Sequence, residues 1–294
     1  MVLYNNELWQ KPSAAASPVQ GIFAFGYTTS DSNLSNKVST EGVIASDTSG
    51  VGTARNALAA CSYGDDKGIF AFGSGLTNIK NLISDSGVVA SDGTGVGTSR
   101  QYLAAAGYDE DKGIFAYGTT GSVSALSNLV SNSGVVATDT SGVGTARSTL
   151  AACGYGGDKA IFAYGSTNVS NLVNSSGVVA SDTSGVGTSR AYLVACSYGT
   201  DKGIFVYGYA GGSNVSMSNL VNSSGVIASD TTGVGSARRV AACTAYGVGK
   251  GVVGYGHTSG AVSLSNLISD SGVVATDTTG VGTARYGLAA CTFG

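Results

Sequence analysis

The chain has 294 residues, 46 of them glycine, with 15 basic and 18 acidic side chains. Charged residues make up 11 % where about 25 % is usual, yet 43 % is hydrophobic, which excludes a disordered polar chain. Two prolines exclude collagen, a formal charge of −3 gives no basic surface for nucleic acid, and no apolar run reaches the ~20 residues of a membrane helix.

In chain order, residues 1–20 come first and read as an arm or anchoring segment, expected to hold other proteins of an assembly. Their opening, MVLYNNELWQKP, lacks the basic-then-apolar order of a signal peptide, so synthesis in a cytoplasm without a leader is expected. From residue 21 the chain repeats. GIFAFG or a close variant begins at Gly21, Gly68, Gly113, Ala160, Gly203 and Gly251. An arginine recurs at Arg55, Arg100, Arg147, Arg190, Arg238 and Arg285, at a mean interval of 46 residues. Six units account for residues 21–294.

Each unit reads as four short strands. Over residues 103 to 139, LAAAGY is strand A, Asp109–Lys112 a turn, GIFAYG strand B, SNLVS strand C, Asn132–Gly134 a turn and VVATD strand D. Asn, Asp and Gly tolerate the positive φ of such hairpin turns. The connection DTSGVGT is too glycine-rich for a helix, and helical periodicity is absent throughout. A repeat of about 40–50 residues with four strands is that of a β-propeller. The expected fold is all-β: a six-bladed β-propeller of four-stranded antiparallel blades. Leu288–Phe293 is expected to pair with Ile22–Phe25, so that the N- and C-terminal strands share one blade. The competing register makes Ser13–Val19 the first strand A.

The order of arginine, inner strand, short turn and aromatic strand ending in glycine resembles the kelch repeat, over about residues 21–294. Single glycines end the second strand where kelch units carry two, and the fourth-strand tryptophan is missing, because the sole tryptophan is Trp9. The near-identical, Ser/Thr/Asn/Gly-rich units are also similar to repetitive bacteriophage virion or tail proteins. That resemblance implies a virion location; a cytoplasmic one is the alternative.

Little here is equipped for catalysis. The single histidine, His257, stands in a variable loop, and nearly every aspartate belongs to a repeated turn, so no enzyme, catalytic residue, metal or cofactor is expected. Cys61, Cys153, Cys196, Cys243 and Cys291 read as one repeat position of strand A, held by Ala106 in the second unit. Free thiols serving as small apolar packing residues are expected. Five lysines (Lys67, Lys112, Lys159, Lys202 and Lys250) read as solvated residues of the A–B turn. The six arginines, each grouped with the aspartate eight residues before it, carry two readings. They form a guanidinium ring at the channel mouth, or they tie the loop after strand D to its neighbour.

Antiparallel strands put the B–C loops on one face and the A–B turns on the other. Length varies in the B–C loops: residues 27–34, 74–80, 119–126, 166–170, 209–217 and 257–264. Variable loops on a rigid scaffold are how binding proteins diversify. Tyr27, Tyr209, Asn214 and His257 are the loop candidates, and Arg55, Arg100, Arg147, Arg190, Arg238 and Arg285 the ring candidates. The expected function is a recognition or structural module of a virus particle that binds a host-surface glycan or protein. The alternative is a kelch-like intracellular adaptor holding an acidic peptide at the channel mouth. Neither nucleic acid nor membrane insertion is expected.

Overall fold

The structure is a computed structural model that describes residues 19–294; the expected arm over residues 1–18 lies outside them. Twenty strands follow in order. β1 (Gln20–Ala24) and β2 (Ser35–Val38) come first, so Gln20 belongs to a strand rather than to the arm. β3 (Ala59–Tyr63), β4 (Lys67–Gly73) and β5 (Thr77–Ile83) form the next sheet, and β6 (Ala104–Tyr108), β7 (Lys112–Ala116) and β8 (Ser127–Val130) another. β9 (Ala151–Tyr155), β10 (Lys159–Ala163) and β11 (Ser170–Val173) repeat the pattern. β12 (Val194–Tyr198) and β13 (Lys202–Val206) are separated from β16 (Ser218–Val221) by a small hairpin, β14 (Tyr209–Ala210) and β15 (Ser213–Asn214). β17 (Ala242–Tyr246), β18 (Lys250–Gly254), β19 (Ser265–Ile268) and β20 (Ala289–Phe293) complete the chain.

The result is all-β, with six three-stranded antiparallel sheets and one two-stranded ribbon. Five sheets use consecutive units of chain, while the sixth orders β2-β1-β20, joining distant segments. β20 pairs antiparallel with β1 from Gln20↔Phe293 to Ala24↔Ala289, the partner expected from sequence. Ala24 therefore meets Ala289, where a register starting in residues 13–19 would have left β20 without a partner.

Burial follows from this layering. The middle strands bury every residue after their lysine, as in β7, because each lies between two neighbouring sheets. That explains their unbroken apolar runs. The first strands alternate, as β6 does with Ala104, Ala106 and Tyr108 buried, because one of their faces turns away from the core. Six apolar cores result, each shared by two consecutive units, and the last joins unit six (Val252, Tyr255) to β1 and β2 (Phe23, Val38). Edge-on aromatic pairs bridge these cores, with Phe72–Phe115 at 5.4 Å and Tyr164–Phe205 at 5.3 Å.

Two cycles of backbone hydrogen bonds run from unit to unit. Tyr102 N donates to Ala57 O, Thr149 to Tyr102, Tyr192 to Thr149, Val240 to Tyr192, Gly287 to Val240 and Ala57 to Gly287, at 2.8–2.9 Å. On the opposite side the A–B turns are linked in the same way, from Gly64 N to Asp111 O through Gly247 N to Val19 O and Gly294 N to Asp66 O.

The fourth strand differs from expectation. In the third sheet it meets β8 only at Val130↔Val136 and Ser127↔Thr140, a register with one extra residue, and all six units share this break. The Asn128 side chain causes it: its Nδ2 donates to Ala137 O at 3.0 Å and to Asp139 Oδ1 at 2.9 Å, taking the place of ladder bonds. This is a bulge built around a buried asparagine.

Packing between first strands corrects the cysteine reading. Cys61, Cys153, Cys196 and Cys291 stand six residues after their arginines, but Cys243 stands five after Arg238, and Thr244 takes the common position. Accordingly Cys61 pairs across the sheet with Ile69, whereas Cys243 pairs with Val253. All five are free thiols, and the displaced Cys243 Sγ meets Cys196 Sγ at 2.6 Å. The four regular cysteines each face the leading glycine of the next unit's middle strand. A Cβ on Gly68 would lie 2.5 Å from Cys291 Sγ, one on Gly113 2.5 Å from Cys61 Sγ, and one on Gly251 2.8 Å from Cys196 Sγ. Ala160, the one unit without that glycine, packs in the core that contains Ala106, the one unit without a cysteine or threonine. Size is thus conserved pairwise. Ala106→Cys is expected to destabilise by about 1–3 kcal/mol through overpacking, and the double variant Ala106→Cys/Ala160→Gly to recover most of it. Urea denaturation of the four proteins measures the coupling; additive effects would refute the pairing.

Candidate functional site

The six repeated arginines sit inside, each 0–2 % exposed, as the reading that makes them structural ties requires and a guanidinium ring open at a channel mouth does not. Arg147 Nε donates to Tyr164 O at 2.8 Å, Nη1 to Thr145 O at 3.1 Å and Nη2 to Asn171 Oδ1 at 2.7 Å. Its plane covers the Tyr117 ring of the preceding unit at 4.3 Å. Arg55, Arg238 and Arg285 repeat the set, and Arg100 and Arg190 keep the stacking. Desolvation lowers the Arg55 pKa to about 10, against the pull of Asp92.

The aspartate partner is also corrected. Five of the six arginines lie within 4.0 Å of the aspartate of their own sheet, not the one eight residues before them, as in Arg100–Asp139 at 3.4 Å, Arg190–Asp230 at 3.6 Å and Arg285–Asp47 at 3.6 Å. The carboxylate also accepts from the connection entering its sheet, as Asp139 does from Thr98 N at 2.9 Å and Thr98 Oγ1 at 2.6 Å. Burial pushes the pKa of Asp139 up, but hydrogen bonds from Thr98 and Asn128 and the charge of Arg100 outweigh it, leaving the carboxyl below its ordinary value. Asp47, Asp92, Asp182, Asp230 and Asp277 are lowered in the same way. A carboxyl with a depressed folded pKa contributes stability above its unfolded value, about 3.9, that is lost as pH falls through the folded one. Unfolding free energy is therefore expected to stay level down to about pH 5 and to drop steeply below about pH 4. Denaturant titrations across pH test this; a level profile down to pH 2 would refute it.

The loop candidates do come together. Tyr209 and Asn214 pair across β14 and β15, whose turn Gly211-Gly212 takes positive φ at both residues. Asn214 Nδ2 donates to His257 O at 3.1 Å and to Thr258 O at 3.0 Å, tying this hairpin to the next unit's loop. His257 sits edge-on to Tyr286 at 5.0 Å, and Tyr27 lies against the other side of that neighbourhood, 5.4 Å from Tyr286.

Around them lie residues the loop reading missed. A recess is lined by Asn56, Tyr102, Tyr192, Tyr209, Arg239, Val240 and Tyr286, drawn from five units. All are half-buried. Tyr102 and Tyr192 meet edge-on at 5.9 Å across it, and Arg239 covers the Tyr209 ring at 4.7 Å. Burial, with the neighbouring Tyr192 and Tyr286 phenols, raises the Tyr102 pKa.

A sequence signal for these residues exists. The first position after each repeated arginine differs in all six units and the second takes five residue types: Asn56-Ala57, Gln101-Tyr102, Ser148-Thr149, Ala191-Tyr192, Arg239-Val240 and Tyr286-Gly287. The first of each pair is in several units bridged to a B–C loop, as in Tyr27↔Tyr286, Ala191↔Tyr209 and Arg239↔His257. The second carries the hydrogen-bond cycle in left-handed conformation, with φ of 55° at Tyr102 and Tyr192 and 52° at Val240. For a β-branched valine that backbone is a genuine outlier, and strain of this kind gathers at binding sites. On the opposite face the turns hold Lys112–Asp109 at 2.5 Å and Lys159–Asp158 at 2.5 Å, half-exposed pairs as expected of solvated turns.

No protein-family model matches this chain, and no curated protein matches it. No helix among the described residues is long and apolar enough to cross a membrane.

Proposed function

We propose that the six sheets are the blades of a six-bladed β-propeller serving as a non-enzymatic recognition module. The two cycles of hydrogen bonds and the pairing of β20 with β1 support the ring. A surface protein of a virus particle, with kelch-like units and a host-surface glycan or protein as ligand, is the setting that fits its repeats.

One observation carries the reading: in units otherwise nearly identical, the B–C loops and the residue pair after the arginine both vary, and the fold delivers both to one face. Selection for packing alone would leave six equivalent positions alike, as it has the arginines. The adaptor alternative loses its carriers, because all six ring guanidiniums are buried and stacked on aromatic rings, and five of them donate to protein acceptors.

Replacing residues 209–217 and 257–264 with the short form STNVS is expected to abolish adhesion to host cells while leaving the unfolding midpoint within a few degrees. Equivalent surgery on the Ser-Asn-Ser-Gly turn at 131–134 should leave adhesion unchanged. Equal loss from both faces would overturn the map.

A further inference from the structure

We infer that the recess over the first hydrogen-bond cycle binds a saccharide carrying a carboxylate, with Arg239 as the anion-reading residue and the tyrosines as the stacking platform. This rests on the recognition reading above and names its ligand class.

Arg239 is the one arginine of seven outside the repeated position, and it is unlike the other six. Among the described residues it makes no ion pair, and its single hydrogen bond is a long one, Nη1 to Asn214 Oδ1 at 3.5 Å. Nε and Nη2 donate to nothing among the described residues, which leaves the fork that matches a carboxylate open there. Stacking on Tyr209 holds the guanidinium plane in place, so little entropy is lost when it engages an anion.

The one acid of the B–C loops is already occupied: Asp31 accepts from Asn56 Nδ2 at 2.5 Å and from Ser74 Oγ at 2.9 Å. Among the described residues a single unpaired cation therefore stands in the recess of a chain with net charge −3. The hydroxyls of Tyr102, Tyr192, Tyr209 and Tyr286 make no hydrogen bond among the described residues, leaving each ring with an apolar face and an open polar tip. Rings to stack on, hydroxyls to bond and one fixed guanidinium are the complement of a pyranose bearing a carboxyl group. A phosphorylated ligand or a polyanion would call for more than one cation, and an acidic peptide would leave the open phenols without hydroxyl partners.

The test is calorimetric titration of the full chain with two saccharides of one carboxylate each, methyl galacturonoside and sialyllactose, each against its methyl ester, and with neutral lactose. One acidic sugar is expected to bind, with its ester at least tenfold weaker and lactose weaker still. Arg239→Gln should erase the acid-over-ester preference, and Tyr192→Ala should weaken acid and ester alike. Equal binding of acid and ester by the unmodified chain, binding of neither acid, or a preference that survives Arg239→Gln would each overturn the inference. So would tighter binding of an acidic peptide such as tetraglutamate. Loop surgery that abolishes cell adhesion while the ester matches the acid would sink this ligand class and leave the recognition module standing.

Discussion

Deleting residues 288–294 is expected to abolish cooperative unfolding. β20 supplies one side of the sheet containing β1, and it also packs against β3 and β17. Its removal takes away four buried side chains, Leu288, Ala289, Cys291 and Phe293, the last 2 % exposed. At roughly 1.5–3 kcal/mol for each large apolar side chain, Leu288 and Phe293 alone account for about 3–6 kcal/mol, against a typical stability of about 5–15 kcal/mol. β1 would also be left with an open edge, a template for aggregation. Circular dichroism and urea titration decide the matter: a sharp transition at the original midpoint would show that the strand is dispensable.

The second large effect falls on the arginine network. Arg147→Ala is expected to cost about 3–5 kcal/mol, the penalty for breaking a buried charged pair from one side. Asn171, fully buried, would lose the donor to its Oδ1, Tyr164 O would lose its own, and the space over Tyr117 would empty. Lysine should recover only part of this, because an ammonium has no planar fork. Arg239→Ala provides the internal contrast, since that side chain has no comparable set of acceptors, and its cost should stay within about 1 kcal/mol. Equal destabilisation by the two substitutions would refute the division between structural and ligand-facing arginines.

Acid sensitivity belongs to the same network. Six carboxylates with depressed pKa values protonate in the same pH range, so their loss should be steep, and Asp139→Asn should reduce the slope by one proton's share. Because the carboxylate of each unit accepts from the connection entering its sheet, protonation loosens contacts between units before it reaches the apolar cores.

The sequence by itself determined the repeat, the all-β character, the positions of the first three strands of each unit and the partner of the last strand. These are legible because they are local: GIFAYG is apolar without a break, LAAAGY alternates, and Asn-Ser-Gly turns the chain. The tertiary structure decided what happens between units. Arg100 finds Asp139 only because its sheet brings the two ends of one unit together, and Cys61 finds Gly113 only because consecutive sheets pack face to face; no pattern within one unit shows which partner a side chain will meet. The fourth strand was misread because Asn128 competes for its backbone bonds from a strand away. Cys243 was misplaced because one residue's offset from Arg238 turns a strand position over, a change invisible to alignment on the cysteine itself. The recess shows the same limit most clearly. Tyr102, Tyr192, Arg239 and Tyr286 are far apart in the chain, and only the cycle of hydrogen bonds beneath them, holding five of its six residues in a conformation rarely adopted outside glycine, brings their side chains over one opening.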